Sequence, residues 1–169
     1  MKIYKLALFF TLAAGIVTNV TAKPVINVTP GTRGGISKTI TETWTLTDSE
    51  KKNTAMMMSQ ITATAIAPTV TINRKEWTAL NSKHQACFYN TFQVQVTGKY
   101  QIKMTVAGKE VNAFDAITIN PGQGFCVTRF LEIWVKADQA GTAPSVASTH
   151  VEMDGNSTDN EGHGTITVR

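Results

Sequence analysis

Hydrophobic and polar residues alternate with a period of two along most of this chain, and this pattern constrains the fold more than any other feature. Successive side chains of a β-strand point to opposite faces of the sheet, so a period of two predicts strands. In FCVTRFLEIWVKAD, residues 125–138, both faces are largely apolar, which predicts a strand in the centre of a sheet. One face carries Val127, Leu131, Ile133 and Val135, and the other carries Cys126, Phe130 and Trp134.

The clearest local pattern lies in TFQVQVTGKYQIKMTVAGK, residues 91–109. Two alternating runs flank a short segment that contains Gly98, and this arrangement predicts a β-hairpin with its turn there. Pro68 confines the strand-like residues 61–73 to a sheet edge or a bend. Other short strands are predicted at 25–29, 111–114, 116–120, 149–153 and 165–168, with loops at 141–148 and 154–164.

Hydroxyl side chains occupy every second position from Ser37 to Thr47 in ISKTITETWTLT. Threonine suits a pleated surface that is half exposed to water, and only 17% of the residues in this chain are charged. The segment therefore predicts a strand whose hydroxyl face meets solvent. The opposite face carries Ile36, Ile40, Trp44 and Leu46.

These strands, with Gly and Pro turns and no βαβ pattern, predict an all-β fold: an antiparallel β-sandwich of the immunoglobulin-like or jelly-roll-like kind. Residues 48–59 allow two interpretations. Thr47 and Glu50 have the spacing of a capping box, which would begin one short helix near 48–59. The same segment can also form a hairpin loop that leads into a strand, and we favour the hairpin.

The first 22 residues have the features of a secretory signal peptide, with Lys2 and Lys5 before an apolar core and small residues at a cleavage site. We therefore expect residues 1–22 to be removed and residues 23–169 to form a single domain with an extended N-terminal arm, 23–35. No other run is apolar enough to span a membrane. The protein is predicted to be secreted, passing through the periplasm to the cell surface.

Cys87 and Cys126 are the two cysteines, and in an exported chain an even count predicts one disulfide bond. A metal pair or a catalytic thiol would be expected with a CxxC motif or an ordered histidine pattern, and the sequence has neither. Without Lys2 and Lys5 the net charge falls from +4 to +2, and the basic residues are scattered. A nucleic-acid partner is therefore not expected.

Candidate binding residues are few. The three histidines occur in no metal or hydrolase motif, so we predict no enzymatic activity and no cofactor. Trp44 and Trp77 could stack on a carbohydrate, although tryptophans also pack in cores. Four oxygen-bearing residues could surround a calcium ion, although the same residue types are common in loops. They are Asp154, Asn156, Asp159 and Glu161.

A small exported sandwich without a catalytic constellation suits a structural or adhesive subunit of a bacterial surface assembly that associates by strand addition. In the arm, Val25, Ile26 and Val28 would pair with a neighbouring subunit. In size, composition and arm the chain resembles bacterial chaperone–usher pilins, whose N-terminal extension donates a strand to the next subunit. It departs from them in its mid-chain cysteines and in ending Val168–Arg169 instead of with an aromatic penultimate residue.

The expected partners are therefore copies of the chain itself or other subunits, without stable membrane insertion. One alternative is a monomeric secreted module that binds a ligand or a carbohydrate, such as a host glycan or receptor. The other alternative is a secreted toxin component.

Overall fold

Nine β-strands and one short helix make up the part of the chain that the computed structural model describes, residues 28–54 and 59–169. The predicted all-β sandwich is confirmed. The predicted signal peptide lies outside the described residues. In chain order the elements are β1 (Val28–Thr45), α1 (Asp48–Thr54), β2 (Ser59–Ile66), β3 (Val70–Ile72), β4 (Thr78–Asn90), β5 (Val96–Val106), β6 (Lys109–Ile119), β7 (Gln123–Ala137), β8 (Gly141–Met153) and β9 (Asn156–Val168).

The strands form two sheets that pack face to face. The four-stranded sheet has the order β1-β7-β4-β2, and the five-stranded sheet has the order β3-β9-β8-β5-β6. Neighbouring strands are antiparallel except β3 and β9, which run parallel. Alternate side chains of each strand meet between the sheets, as the period of two requires. The largest buried side chains there include Leu80, Phe88, Tyr100, Ile102, Met104, Ile119, Leu131, Met153 and Ile166.

Strand β7 lies in the centre of the four-stranded sheet, between β1 and β4, as its two apolar faces predict. Its inner face, the one toward the other sheet, contributes Val127, Leu131, Ile133 and Val135 to the core. Its outer face carries Cys126, Phe130 and Trp134, which lie across from residues of both neighbouring strands.

The predicted hairpin turn at Gly98 is wrong, because β5 runs without interruption from Val96 to Val106. A Cβ atom at Gly98 would lie 2.7 Å from ring carbons of Phe88, so this glycine allows a core aromatic ring to approach the strand backbone. The chain instead reverses at Ala107 and Gly108, whose φ angles of 47° and 80° are those of a tight hairpin turn.

The two predicted loops after β7 are also wrong, since residues 141–148 lie in β8 and residues 156–164 lie in β9. Pro144 is tolerated because β5 pairs with β8 only as far as Ser145, so this proline has a strand partner on one side alone. After Met153 the chain reverses direction within two residues, Asp154 and Gly155, which both have positive φ angles.

Helix α1 begins with the capping box, and the hairpin that we favoured for this segment is wrong. The backbone N–H of Thr47 donates to Glu50 Oε2 at 2.8 Å, and the N–H of Glu50 donates to Thr47 Oγ1 at 3.3 Å. The bond from the Thr47 backbone is also the main cause that lowers the pKa of Glu50. Within the described ranges, no helix is long and apolar enough to cross a membrane.

One lateral side of the sandwich is closed by the chain itself, where residues 67–69 carry it from β2 to β3 in the other sheet. We call this region, with β8 and β9 beside it, the closed side. Ser145 Oγ donates to the carbonyl of Pro68 at 2.5 Å, and Asn160 Oδ1 accepts from the N–H of Ala65 at 2.8 Å. A Cβ atom at Gly162 or Gly164 would meet the backbone of residues 65–68, so the strands approach more closely than side chains would permit.

Candidate functional site

The opposite lateral side of the sandwich ends in two strand edges without a neighbour in the described chain, and we call it the open side. Strand β1 forms the edge of the four-stranded sheet, and β6 forms the edge of the five-stranded sheet. Each edge leaves a row of backbone N–H and C=O groups unpaired within its sheet, which is the usual site for adding a further strand.

Strand β1 is held almost entirely by its pairing with β7, which runs from Val28↔Ala137 to Thr45↔Gln123. Every side chain from Ile36 to Thr43 is exposed, on both faces of the strand. A strand that buries neither face gains backbone hydrogen bonds and little hydrophobic stabilisation. Residues 36–43 of β1 are therefore attached mainly by main-chain pairing.

The register of β1 explains where its hydroxyl residues point. Ile36 pairs with Leu131 and Lys38 pairs with Phe130, so Ser37 is an extra residue at a β-bulge. The bulge separates Ile36, on the inner side, from Ile40 on the outer side, so the single apolar face predicted for this strand is wrong. Beyond the bulge, the inner side carries Thr39, Thr41, Thr43 and Thr45. These hydroxyl residues are exposed to solvent, as predicted.

On the open side, an ion pair joins β7 of the four-stranded sheet to β6 of the five-stranded sheet. Arg129 Nη2 of β7 lies 2.5 Å from Asp115 Oδ2 of β6, and the Arg129 guanidinium lies 5.1 Å from the ring centroid of Tyr100. Burial raises the pKa of Tyr100 to about 12, since the phenolate would be poorly solvated there. The Tyr100 hydroxyl and Arg129 Nε are buried and have no hydrogen-bond partner among the described residues. The ion pair thus links the two sheets, with Thr39 directly across from Arg129 in the register of β1.

Strand β6 pairs with β5 without a bulge from Lys109 to Ile119, so its free edge is regular over 11 residues. Phe114 lies near the middle of its outer face and is 65% exposed. At the turn end, Glu110 lies 3.7 Å from Lys103. This edge therefore combines a regular backbone with one large exposed apolar side chain.

The predicted arm falls partly on this side. Val28 begins β1 and pairs with Ala137 of the same chain, while Val25 and Ile26 lie outside the described residues. Residues 28–35 of the arm thus occupy the edge beside β7 of their own molecule.

The predicted disulfide bond is present between Cys87 and Cys126. The two residues are directly opposite each other in β4 and β7, on the outer face, with Cα atoms 4.1 Å apart. Directly opposite residues of neighbouring antiparallel strands have closely spaced Cα atoms, which brings the two sulfur atoms together here. The bond therefore joins the two central strands of the four-stranded sheet.

The two tryptophans predicted to stack on a ligand lie at opposite ends of this sheet. Trp44 covers Gly124 at the start of β7, and its ring meets Tyr89 edge-on at a centroid distance of 5.7 Å. Trp77 lies just before β4 and is 48% exposed. Trp44 lies opposite Gly124, and Thr78, next to Trp77, lies opposite Val135, so the two tryptophan positions are about 35 Å apart along the strands. They cannot act on one sugar ring together.

The four candidate calcium ligands are not brought together. Asp154 lies in the turn, while Asp159 and Glu161 lie on the outer face of β9, where each contacts a histidine. Asp159 Oδ1 lies 2.7 Å from His150 Nδ1, and Glu161 Oε1 lies 2.9 Å from His163 Nε2. Among the residues described, no group of three or more His, Cys, Asp or Glu side chains could hold a metal ion.

The core contains a series of hydrogen-bonded polar side chains that the sequence analysis does not identify. Ser82 Oγ lies 2.7 Å from His84 Nε2, and His84 Nδ1 lies 3.0 Å from Thr149 Oγ1, which donates to the carbonyl of Thr64. Because the Thr149 proton goes to Thr64, His84 carries its proton on Nδ1 and accepts from Ser82. Burial lowers the pKa of His84 to about 4. The alternation of β4 gives the signal, since Ser82 and His84 share the face of Leu80 and Phe88.

No protein-family model matches the sequence, and no curated protein matches it either. Among solved structures, the chain is similar to the CooA pilin subunit from enterotoxigenic Escherichia coli, with a TM-score of 0.31 and 12% identity over 64% of this chain and 99% of that one. It is also similar to AggA, the major subunit of aggregative adherence fimbriae type I from Escherichia coli, with a TM-score of 0.35 and 9% identity over 66% of this chain and 95% of that one.

A third similar structure is the alkylpurine DNA glycosylase AlkC from Pseudomonas fluorescens, with a TM-score of 0.39 and 13% identity. The match covers 68% of this chain but 33% of that one, so the chain spans about a third of the glycosylase. The similar structures thus include fimbrial subunits and an enzyme, and they distinguish no function for this chain.

Proposed function

We propose that this protein is an exported, non-catalytic subunit of a bacterial surface assembly, structural or adhesive, and that its copies associate by strand addition. The N-terminal arm, continued by β1, is the donated strand. The slot beside β7 of a second copy is the acceptor.

The observation that carries the proposal is the attachment of β1. It pairs with β7 over most of its length, yet its described side chains from Ile36 to Thr43 are exposed on both faces. A second copy presents an identical slot, so the hydrogen bonds lost on leaving one β7 are regained on the next. Residues 36–43 need expose little further apolar surface during the exchange, because their side chains are already exposed.

The hinge for such an exchange would lie between Thr45 and Leu46. This residue is buried, and its N–H donates to the carbonyl of Gly122 at 2.8 Å, which anchors the chain just beyond β1. Residues up to Thr45 can then leave as one strand while the remainder of the sandwich stays intact. The disulfide bond keeps β7 fixed to β4 during this change.

A pair of engineered cysteines tests the proposal on the full mature chain. Lys38 and Phe130 lie directly opposite each other in β1 and β7, and Phe130 has Lys83 of β4 opposite it on its other side. In an assembled sample, oxidation of K38C/F130C should give a ladder of disulfide-linked multimers on a non-reducing gel. The matched variant K83C/F130C should give monomers only, because both strands stay in one molecule.

The proposal is wrong if light scattering shows assemblies while K38C/F130C gives only monomers, since β1 would then remain in its own chain. It is equally wrong if the mature protein stays monomeric at every concentration tested. Assembly that persists after residues 23–45 are removed would also rule out β1 as the donated strand.

A further inference from the structure

We infer that a small cavity beside α1 binds a single acidic sugar, with a pyranose ring and one carboxylate. The cavity has a volume of about 270 Å³ and lies at the end of the sandwich where α1, the β4–β5 loop and the β6–β7 turn meet. It is lined by Lys51, Thr91, Phe92, Gln93, Pro121 and Gly122. This inference does not depend on the proposed assembly.

Hydrogen bonds from buried side chain and backbone groups hold the walls of the cavity in place. Asn90 is fully buried, and its Nδ2 donates to the carbonyls of Val94 and Ile119 at 3.0 and 2.9 Å. Its Oδ1 accepts from the N–H of Phe92 at 2.9 Å. One side chain therefore fixes the β4–β5 loop at both ends and against β6.

The β6–β7 turn is fixed in a similar way. The N–H of Gly122 donates to the carbonyl of Asn90 at 2.9 Å, and Gln95 Nε2 donates to Asn120 Oδ1 at 2.9 Å. Gly122 has a φ of 68°, which favours glycine. Loop and turn thus form a preorganised site, and rigid sites bind with a smaller entropic cost.

The side chains on these walls have the chemistry that a sugar acid requires. Phe92 and Pro121 offer apolar surface for the C–H face of a pyranose ring, and the exposed amide of Gln93 can bond to its hydroxyls. Lys51 supplies one positive charge, half exposed and 4.0 Å from the exposed Asp48 carboxylate. Asp48 is not among the six described residues that line the cavity, and none of those six carries a carboxylate.

Size and charge narrow the ligand class. A cavity slightly smaller than the roughly 300–1,000 Å³ typical of drug-sized ligands takes one ring and not a chain of sugars. Inorganic phosphate would use Lys51 but leave the apolar surface of Phe92 and Pro121 unused. A pyranose that carries one carboxylate would contact both Lys51 and this apolar surface.

Methyl β-glucuronide and methyl β-glucoside form a matched pair of probes, since they differ only in the carboxylate. In titrations followed by amide NMR shifts, the glucuronide should shift resonances of residues 91–93 and 121–122. The glucoside should bind at least about tenfold more weakly, as expected from losing one charged hydrogen bond. K51Q should reduce the glucuronide affinity to that of the glucoside, and Q93A should weaken both.

K83Q serves as the control, because Lys83 is an exposed lysine on the outer face of β4 and should change neither affinity. Circular dichroism and melting curves establish that K51Q and Q93A are folded, and both residues are exposed enough for this to be expected. Equal affinity for the two probes, an unchanged affinity in K51Q, or the absence of shifts at the lining residues at millimolar ligand would each overturn the inference.

Discussion

The closed and open sides are the two lateral boundaries of the packed sheets, and they are built differently. On the closed side the chain crosses between the sheets, and Gly162 and Gly164 let backbones approach until a Cβ would not fit. On the open side β1 and β6 end the sheets as edge strands, and the inner threonines of β1 are exposed. One boundary is packed at the backbone level, and the other is held by hydrogen bonds and one ion pair.

The difference indicates where the molecule can change without unfolding. Dense packing makes the closed side intolerant of added atoms, because interiors have few voids to absorb them. A strand that buries little side-chain surface opens at a lower free energy than the global unfolding. Rearrangement should therefore be confined to the open side, which is the side that the proposed assembly uses.

The largest expected effect comes from G164A on the closed side. The added methyl group would meet the carbonyl oxygen of Pro68 and lie 2.6 Å from Ser145 Oγ, so backbone has to move. We expect a loss of about 3 kcal/mol in the free energy of unfolding, as for other overpacked sites. Urea denaturation measures it. A loss below about 0.5 kcal/mol, typical of surface substitutions, would show that the closed side is not tightly packed.

A comparable effect should follow from acidification, because of His84. The unfolded chain binds a proton at this residue near pH 6.5, whereas the native state does so only near pH 4. Stability is therefore complete above pH 6.5 and falls as the pH drops toward 4, by about 3 kcal/mol. Urea denaturation at pH 7, 5.5 and 4 should show this slope, and H84Q should remove it. An identical slope in both proteins would contradict the buried neutral ring.

On the open side, D115N should cost less, about 1 kcal/mol. The substitution removes the charge that faces Arg129, but Asp115 is 40% exposed and solvent screens the pair. E110Q is the matched control on the same strand. Its partner Lys103 is more exposed than Arg129, so we expect E110Q to lower the free energy of unfolding by about 0.2 to 0.5 kcal/mol at most. If both variants unfold at the same urea concentration, the ion pair does not hold the two sheets together.

The smallest effect is expected for T41V, which should change stability by less than about 0.5 kcal/mol because the side chain is exposed. The control is T149V, since buried Thr149 bonds to both His84 and Thr64 and should cost about 1–3 kcal/mol. Hydrogen exchange in the wild-type protein should also be faster at β1 amides than at β9 amides. Equal protection of the two strands would remove the contrast between the two sides.

The sequence predicts the fold class and the centre of the four-stranded sheet because both depend on patterns within one strand. The two apolar faces of residues 125–135 place β7 between neighbours, and the even cysteine count predicts the bridge that is found. The spacing of Thr47 and Glu50 indicates a capping box, and the hydrogen bonds between these two residues favour the helix over the hairpin.

Features that depend on contacts between strands could not be predicted in this way. Gly98 has the same sequence signature whether it turns the chain or makes room for Phe88, and only the packing distinguishes the two. The bulge at Ser37 depends on the register with β7, which the alternation of β1 alone does not contain. The cavity beside α1 combines three segments distant in sequence, so its residues carry no common motif.

The Cys87–Cys126 bond has a mechanical consequence. If subunits are linked through β1, tension along a fibre enters each domain at β7 and passes to β4 through a covalent bond as well as through the sheet. The cysteines are 39 residues apart, and the chain between them cannot extend while the bond is intact. This segment would otherwise extend by about 130 Å. A single molecule pulled from its ends should lengthen by that additional amount only after reduction.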